Sequence, residues 1–295
     1  MRGRPDLWRG AWAAAIVGLP SALAVAQHLV VVSSGDTAPY AQALAGVRKA
    51  GVSVEALQWG ADREPDLPAV LAHAPRDTAV VTLGAAAAEY AARAVPAAPV
   101  VNCMALGNDP GASAVPLEVP VEAQLASMKR LLPDAHNVGI LFDPAQNERR
   151  AEDAAAALTR AGYTPVLEPV TGPTALPLAL NRLANRVDVL FALPDTTVYA
   201  RESSRALLLF SFRHQIPMVG PTEAWVKAGA LYSLDWDYTD LGRYCGALAI
   251  AKLAGGKQAP PAPPGTRLVV NSRSAEQLRV TWDAEAMRSF DKVYR

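Results

Sequence analysis

The amino-acid sequence predicts an α/β protein built from two doubly wound lobes, each formed around a parallel sheet. Short β-branched runs bounded by turn residues alternate with Ala- and Leu-rich segments of helical period, which is typical of βαβ units. This rhythm falls into two similar halves, one from His28 to about Gly111 and one after the stretch Pro116–Pro120. The 295 residues of the chain are also more than one simple core usually takes.

Residues 1–26 are predicted to be a signal peptide and differ in composition from the rest of the chain. They begin with three Arg, continue with an apolar run from Ala11 to Ala24, and end in the small residues Ala24-Val25-Ala26. The apolar run is shorter than the roughly 20 residues that a membrane-spanning helix needs, so an uncleaved anchor is the less favoured alternative. The mature chain is expected to begin near Gln27.

The strands are predicted from β-branched runs, and the helices from apolar residues that recur every three or four positions. The predicted strands are His28–Val32, Val52–Gln58, Ala79–Leu83, Val100–Met104, Asn137–Phe142, Thr164–Pro169, Val187–Leu193, Pro217–Gly220, Ala230–Leu234 and Arg267–Asn271. The predicted helices are Tyr40–Ala50, Leu67–His73, Ala85–Ala92, Val121–Leu132, Gln146–Ala161, Leu176–Asn185, Glu202–His214, Glu223–Lys227 and Asp240–Leu253. For the long helix near residue 150, Asp143 is the predicted N-cap, Pro144 suits the first turn and Gly162 the left-handed exit.

The charge pattern argues against a nucleic-acid partner. Acidic and basic residues balance over the full chain, and removing the predicted leader leaves a net charge of −2. The longest basic run is the pair Arg149-Arg150, whereas binding a phosphate backbone generally requires a clustered positive surface.

Two cysteines, Cys103 and Cys245, remain in the mature chain. Each is expected to be a small, buried apolar residue, because Cys is among the most buried residue types. A disulfide is the alternative, and it depends on whether the fold brings the two positions within reach.

Four segments of the second half resemble a known family. They read PVEAQLASMKRLLPDAHNVGILFDPAQN, DVLFALPDTTVYA, FRHQIPMVGPTEAWVKAGALYSLDWDYTDLGRYCGALAIAKLAGG and LVVNSRSAEQLRV. Their order and spacing resemble the ABC-transporter substrate-binding proteins that are related to tryptophan and tyrosine uptake systems. In the first half, AVVTLGAAAAEYAA stands where that family has a Gly-Thr segment, and ALGNDPGASAV is only loosely similar to its Asp-Pro segment.

The resemblance implies a type I periplasmic-binding fold, in which two lobes are joined by three crossovers of the chain. The first lobe is then expected to comprise residues 27–116 plus 235–264, and the second lobe residues 117–234 plus 265–295. Both cysteines fall in the first lobe on this division, which makes a disulfide possible without requiring it.

The resemblance also implies a function. The protein is expected to reside in the periplasm as a monomer, to bind a small molecule such as an amino acid between its lobes, and to deliver it to an ABC permease at the inner membrane. The alternative is a periplasmic sensor or accessory subunit whose ligand-bound form is recognised by a protein partner without import.

Two loops of the first lobe are candidate ligand sites, because open parallel sheets bind ligands at the carboxyl ends of their strands. Ser33, Ser34 and Gly35 follow the first strand and offer hydroxyls and backbone amides to an anion, with a simple capping turn as the alternative. Gly84 and Ala85 open a helix of very small residues, which leaves room for a ligand near backbone N–H groups. Tight packing of this helix on the sheet is the alternative there.

The second lobe offers polar residues at equivalent strand ends. Asp195, Thr196 and Thr197 follow an apolar strand, so that Asp195 can pair with a ligand ammonium and the Thr hydroxyls with its polar atoms. Helix capping is the alternative for these residues, as it is for Asp143 at the end of another strand. Thr222 lies in a further loop of this kind.

Asp235 and Trp236 follow the strand that returns to the first lobe. Trp236 and Tyr238 are candidates for stacking on an apolar or aromatic ligand, with packing at the hinge as the alternative. A zwitterionic ligand suits the whole set, with its carboxylate at helix N-termini and its ammonium near Asp195 or Asp235.

Common catalytic and cofactor motifs are absent from the sequence. It contains no Gly-x-Ser-x-Gly, no phosphate-binding loop that ends in Gly-Lys-Ser/Thr, no dinucleotide-binding glycine pattern after the first strand and no Cys pair at metal-binding spacing. The four His are scattered along the chain. The protein is therefore predicted to be a binding protein rather than an enzyme, without a metal or a cofactor.

Overall fold

The computed structural model describes residues 27–59, 64–105, 113–195, 197–200, 202–255 and 264–295. The predicted signal peptide lies outside these residues. Within the described ranges, every helix is too short or too polar to cross a membrane.

The first lobe contains a sheet of five parallel strands in the order β2-β1-β3-β4-β5, and its central strands β1 and β3 are almost completely buried. The strands are β1 (His28–Ser33), β2 (Ser53–Gln58), β3 (Thr78–Leu83), β4 (Val100–Ala105) and β5 (Ser113–Pro116). The helices that connect them are α1 (Ala38–Val47), α2 (Leu67–His73) and α3 (Ala85–Ala94).

The second lobe contains a sheet of seven strands in the order β12-β11-β10-β9-β8-β6-β7. These strands are β6 (Asn137–Phe142), β7 (Thr164–Pro169), β8 (Val189–Phe191), β9 (Met218–Val219), β10 (Tyr232–Trp236), β11 (Thr266–Asn271) and β12 (Lys292–Tyr294). The remaining helices are α4 (Val121–Leu131), α5 (Pro144–Arg160), α6 (Leu176–Leu183), α7 (Ser204–His214), α8 (Glu223–Ala228), α9 (Tyr238–Leu253), α10 (Ser272–Gln277) and α11 (Ala284–Arg288). The pairing of β10 with β11 is antiparallel, which departs from the all-parallel sheet expected from the sequence.

Helix α9 follows the second sheet in sequence but packs on the first lobe, against α1, β3 and β4. Two glycines permit this close crossing of α1 and α9. A Cβ atom on Gly242 would lie 1.9 Å from the carbonyl oxygen of Ala43, and one on Gly46 would lie 2.0 Å from that of Thr239. Side chains at either position would therefore force the helices apart.

The chain passes between the two sheets three times, from β5 to α4, from β10 to α9 and from α9 to β11. The predicted fold class, with two lobes joined by three crossovers, is thereby confirmed. Each predicted strand and helix is also present, with its ends displaced by three residues or fewer. The short elements β5, β12, α10 and α11 were not predicted from the sequence.

Helix α5 begins as its capping residues predict. The Asp143 carboxylate accepts a hydrogen bond from the backbone N–H of Ala145 (2.9 Å), and Pro144 occupies the first turn. Gly162 adopts φ +91° immediately after the C-cap, a conformation that favours glycine.

Cys103 on β4 and Cys245 on α9 form a disulfide, with their Cα atoms 6.5 Å apart. The expectation of two unpaired buried cysteines is therefore wrong. Both residues are buried as expected, but the packing of α9 on β4, which spacing along the chain does not reveal, brings them together.

Candidate functional site

A cleft of about 950 Å³ lies between the two lobes, at the carboxyl ends of their strands. Its walls come from the first lobe, from the crossovers and from the second lobe, and include aromatic, aliphatic and charged side chains. The lining residues include Thr37, Tyr40 and Met104 of the first lobe; Glu118, Gln124, Asp235 and Tyr238 at or near the crossovers; and Arg150, Phe191, Pro194 and Thr222 of the second lobe. A concave site of this size accommodates a small molecule.

The predicted serine loop of the first lobe lies behind the wall of the cleft. Ser33 donates its hydroxyl hydrogen to the carbonyl oxygen of Gly35 (2.6 Å), and the Ser34 hydroxyl accepts a hydrogen bond from the backbone N–H of Ala87 (2.9 Å) in the first turn of α3. Neither serine nor Gly35 lines the cleft. These contacts correspond to the local turn and capping roles that were the alternative to ligand binding.

Gly84 and Ala85 also do not line the cleft, because Tyr40 and Ser34 approach the start of α3 closely. Gly84 has φ +99°, and a Cβ atom there would lie 2.8 Å from the Tyr40 hydroxyl oxygen and 2.6 Å from that of Ser34. The small residue at position 84 therefore makes room for Tyr40, which lines the cleft itself.

Met104 is a wall residue that the sequence analysis did not identify. It adopts φ +57°, in the left-handed region that is uncommon for side chains other than glycine and asparagine. The pairing of β4 with β5 shifts register between Cys103 and Ala105, so that Met104 is the extra residue of a bulge. This irregularity places Met104 at the cleft, beside the disulfide. No sequence pattern predicts it.

Asp195 in the second lobe organises its own loop. Its Oδ1 atom accepts hydrogen bonds from the backbone N–H groups of Thr197 (3.0 Å), Val198 (2.6 Å) and Tyr199 (3.2 Å). The Thr197 hydroxyl accepts a hydrogen bond from the Gln146 side chain (2.5 Å). Asp195 and Thr197 do not line the cleft. Asp195 caps a turn of its own loop rather than a helix, since the next helix of the described residues begins at Ser204.

Asp143 likewise caps α5 and does not line the cleft. The prediction for Thr196 falls outside the described residues. Thr222 does line the cleft, as the residue that precedes α8.

Arg150 on α5 supplies a positive charge to the cleft. Its guanidinium donates hydrogen bonds to the carbonyl oxygen of Pro194 (3.0 Å) and to Asn147 Oδ1 (2.6 Å), and it forms an ion pair with Glu118 of the first crossover. Burial lowers the pKa of Arg150, and the nearby Asp195 carboxylate opposes this effect. The position of Arg150 on α5 could have been inferred from the sequence. Arg150 follows Asp143, the N-cap of this helix, by seven residues, so it lies on the same face two turns further along.

Asp235 lines the cleft where β10 leaves the second sheet. Its Oδ1 atom accepts hydrogen bonds from the Tyr238 hydroxyl (2.8 Å) and from the backbone N–H of Trp236 (2.8 Å). Burial raises the pKa of Asp235 to about 6, against the opposing effect of these two hydrogen bonds. Burial also raises the pKa of Tyr238, and the charge of Asp235 raises it further, so the hydroxyl remains a hydrogen-bond donor.

Trp236 packs in the main hydrophobic core with only 7% of its surface exposed, and it does not line the cleft. Hinge packing, the alternative to ligand stacking, therefore describes its environment. Among the described residues, the aromatic rings that line the cleft are Tyr40, Phe191 and Tyr238.

The cleft offers a ligand charged groups, hydrogen-bonding groups and aromatic rings. Within the described part of the chain, no group of three or more His, Cys, Asp or Glu residues is arranged to hold a metal ion. Of the described residues that the sequence singled out, Asp235, Thr222 and Tyr238 lie on its wall, with Tyr40, Met104, Glu118 and Arg150 as additions.

A family model described as ABC transporter substrate binding protein matches residues 110–293. A curated relative, the tyrosine-binding protein of Clostridioides difficile, is 25% identical over 137 residues, which are 46% of this chain and 39% of that protein. The alignment thus spans well under half of the relative's length.

Solved structures share the fold across both lobes. A ligand-free, open substrate-binding protein with adhesive properties from Clostridium difficile matches with a TM-score of 0.72 and 16% identity over 91% of this chain and 99% of that chain. An ABC domain in complex with L-Trp from Streptococcus pneumonia matches with a TM-score of 0.63 and 19% identity over 90% and 99% of the two chains. A conserved domain protein from Vibrio cholerae matches with a TM-score of 0.64 and 20% identity over 91% and 99%.

Proposed function

Since the chain belongs to the family of ABC transporter substrate-binding proteins, we propose that it captures a small molecule in the interlobe cleft and delivers it to an ABC permease. The observation that carries this proposal is the cleft of about 950 Å³, whose walls come from both lobes and from the crossovers. Closure of the lobes around a ligand would bury it and present a closed form to the permease. A cleft that binds and releases its ligand unchanged needs no catalytic group, so we propose that the protein is not an enzyme.

The proposed ligand is an amino acid with an aromatic side chain. The relative named for tyrosine and the structure that contains L-Trp support this class. The cleft itself supports it through Phe191 and Tyr40, which offer apolar contact, and through Asp235, which offers a negative charge to an ammonium group.

We propose that the mature protein begins near Gln27 and works in the periplasm. The leader pattern of residues 1–26 supports export. The disulfide between Cys103 and Cys245 supports the same compartment, because such bonds persist in oxidising environments.

We further propose that the lobes divide as 27–116 plus 235–264 and 117–234 plus 265–295. The packing of α9 on α1 supports the first grouping, and the pairing of β11 with β10 supports the return of the chain to the second lobe. Relative motion then occurs at the three crossovers.

The test is a thermal-shift screen of the mature protein against the amino acids, followed by uptake assays in cells that lack the gene. A ligand present at a hundredfold excess over its dissociation constant stabilises the folded state by about 2.7 kcal/mol, which raises the melting temperature measurably. We expect tyrosine or tryptophan to give the largest shift and the deletion to reduce their uptake. Binding without any loss of uptake would contradict import and favour the sensor alternative.

A further inference from the structure

Two of the less exposed charged groups at or beside the cleft, Arg150 and Asp195, are held by contacts within the protein. The charged residues Glu122, Arg149, Asp153 and Arg160 line the cleft at exposed positions. Arg150 is paired with Glu118 and bonded to the carbonyl oxygen of Pro194. Asp195 lies behind Arg150 and uses its Oδ1 atom for three backbone N–H groups, while its Oδ2 atom is completely buried. Arg150 is therefore already paired, and Asp195 Oδ2, which accepts no hydrogen bond, is closed to a ligand by its burial.

Asp235 is different, because only one of its two oxygens is occupied. Both of its hydrogen bonds go to Oδ1, whereas Oδ2 accepts none from the described residues. In contrast to Asp195 Oδ2, Asp235 Oδ2 is not sealed from solvent. Since Asp235 lines the cleft, Oδ2 is the atom that a ligand can reach.

No cation of the described residues forms an ion pair with Asp235. Arg267 stands opposite it in the antiparallel pairing of β10 with β11, but remains beyond ion-pair distance and only slightly favours the carboxylate form. Glu223 adds a repulsive negative charge. A half-buried carboxylate without a cation is unfavourable, and its surroundings raise its pKa accordingly.

We propose that Asp235 selects ligands that carry a protonated amine, which binds at Oδ2 and supplies the positive charge that the protein does not place there. The inference rests on the proposed binding of a small molecule in the cleft and assigns the ammonium of that molecule to one residue. Tyr238 positions the carboxylate for this contact by holding Oδ1. The two candidates that the sequence left open for this role, Asp195 and Asp235, are thus distinguished by their hydrogen bonds.

The experiment compares three forms of each probe by isothermal titration calorimetry at pH 8. L-Tyrosine and L-tryptophan are compared with tyramine and tryptamine, which lack the carboxylate, and with 3-(4-hydroxyphenyl)propionate and indole-3-propionate, which lack the amine. We expect the wild-type protein to bind the parent amino acid at least about thirtyfold more tightly than the acid that lacks the amine. The removal of one partner of a buried charge pair costs affinity on this scale.

Asp235→Asn is expected to remove this discrimination. The affinity for the amino acid should fall by about thirtyfold or more, while the affinity for the acid that lacks the amine should stay within about threefold. Asp77→Asn is the matched control, since it removes the same charge from an exposed residue just before β3, at the end of the strand remote from the cleft. A melting curve of each ligand-free variant verifies that it is folded.

Arg267→Gln tests whether the effect of Asp235→Asn on affinity comes from ligand recognition or from the loss of its interaction with Arg267 on β11. If Asp235 selects the ammonium, this variant retains the preference for amines, whereas an equal loss in Arg267→Gln and Asp235→Asn would overturn the proposal. Equal wild-type affinity for parent and amine-free probes would also overturn it, while leaving the proposed function intact. If the wild-type protein bound none of the six probes, the proposed ligand class would be wrong and this inference with it.

Discussion

The carboxyl group of Asp235 has surroundings that favour its neutral form. Burial raises its pKa from the ordinary value of 3.8 to about 6, although Tyr238 and the backbone of Trp236 donate hydrogen bonds to it. Between about pH 4 and pH 6, the folded protein therefore holds a proton that the unfolded chain has released. The free energy of unfolding falls as the pH rises through this range, by ~3 kcal/mol at most from this group.

Asp235→Asn should remove this pH dependence. In the ligand-free protein, we expect the variant to gain about 1–3 kcal/mol of unfolding free energy relative to wild type between pH 4 and pH 7. Urea denaturation of both proteins at several pH values measures this difference in the free energy of unfolding. The other titrating groups contribute equally in both proteins, so their contributions cancel. A difference that stays constant over this range would contradict the raised pKa.

Asp235 and Thr222 were predicted as site residues because strand ends in parallel sheets point to the ligand site, and both line the cleft. Ligand roles were also predicted for Asp195 and Ser34, whose side chains bind nearby backbone N–H groups. Short polar side chains satisfy local backbone groups and ligands equally well, and the sequence does not separate the two uses. Tyr40 was missed because its place on the wall depends on how closely α1 and α3 approach.

At the scale of elements, the crossing of α1 and α9 joins the last long helix to the first lobe. The backbone of Ala43 approaches Gly242 so closely that no side chain fits between them. This contact fixes the position of α9, which begins directly after the crossover that carries Asp235.

Gly242→Ala should lower the free energy of unfolding by about 1–3 kcal/mol or more, because the added methyl group must push two backbones apart. Gly265→Ala is the matched control, since a Cβ atom at that position meets only the Asp240 carboxylate, at 3.5 Å. Chemical denaturation of both variants measures the effect. Equal stability of the two variants would show that the helices separate without cost.

The boundaries of the longer elements were predictable because local physics sets them. The cap at Asp143 and the exit at Gly162 define α5 from both sides. Strands β5 and β12 carry only four and three residues, so a period of two leaves no clear pattern in them. The antiparallel direction of β11 was also missed, because it follows from the third crossover and not from the composition of the strand.

At the scale of the whole molecule, the disulfide links two parts of the first lobe that are 142 residues apart. Most of the second lobe lies in the chain between Cys103 and Cys245. The crosslink therefore closes a long loop in the unfolded state and holds the crossover helix α9 to the cleft wall at β4.

Replacing both cysteines by alanine should lower the free energy of unfolding by about 5 kcal/mol, the value that loop-closure entropy gives for a loop of this length. Urea denaturation of the double variant and of each single variant measures this change. Because either single replacement already breaks the crosslink, the three variants should lie close together. A double variant as stable as the wild type would show that the crosslink does not constrain the unfolded chain.

The interlobe cleft is the proposed ligand site, and a calorimetric titration of a variant with a filled cleft tests this assignment. Thr222 lines the cleft without a side-chain capping bond, so Thr222→Trp fills the cleft and leaves the start of α8 intact. The amino acid that gives the largest thermal shift is titrated into this variant and into the wild-type protein. We predict at least about a tenfold loss of affinity, equal to 1.4 kcal/mol, at an unchanged melting temperature of the ligand-free protein. Equal affinity in the two proteins would place the ligand outside this cleft.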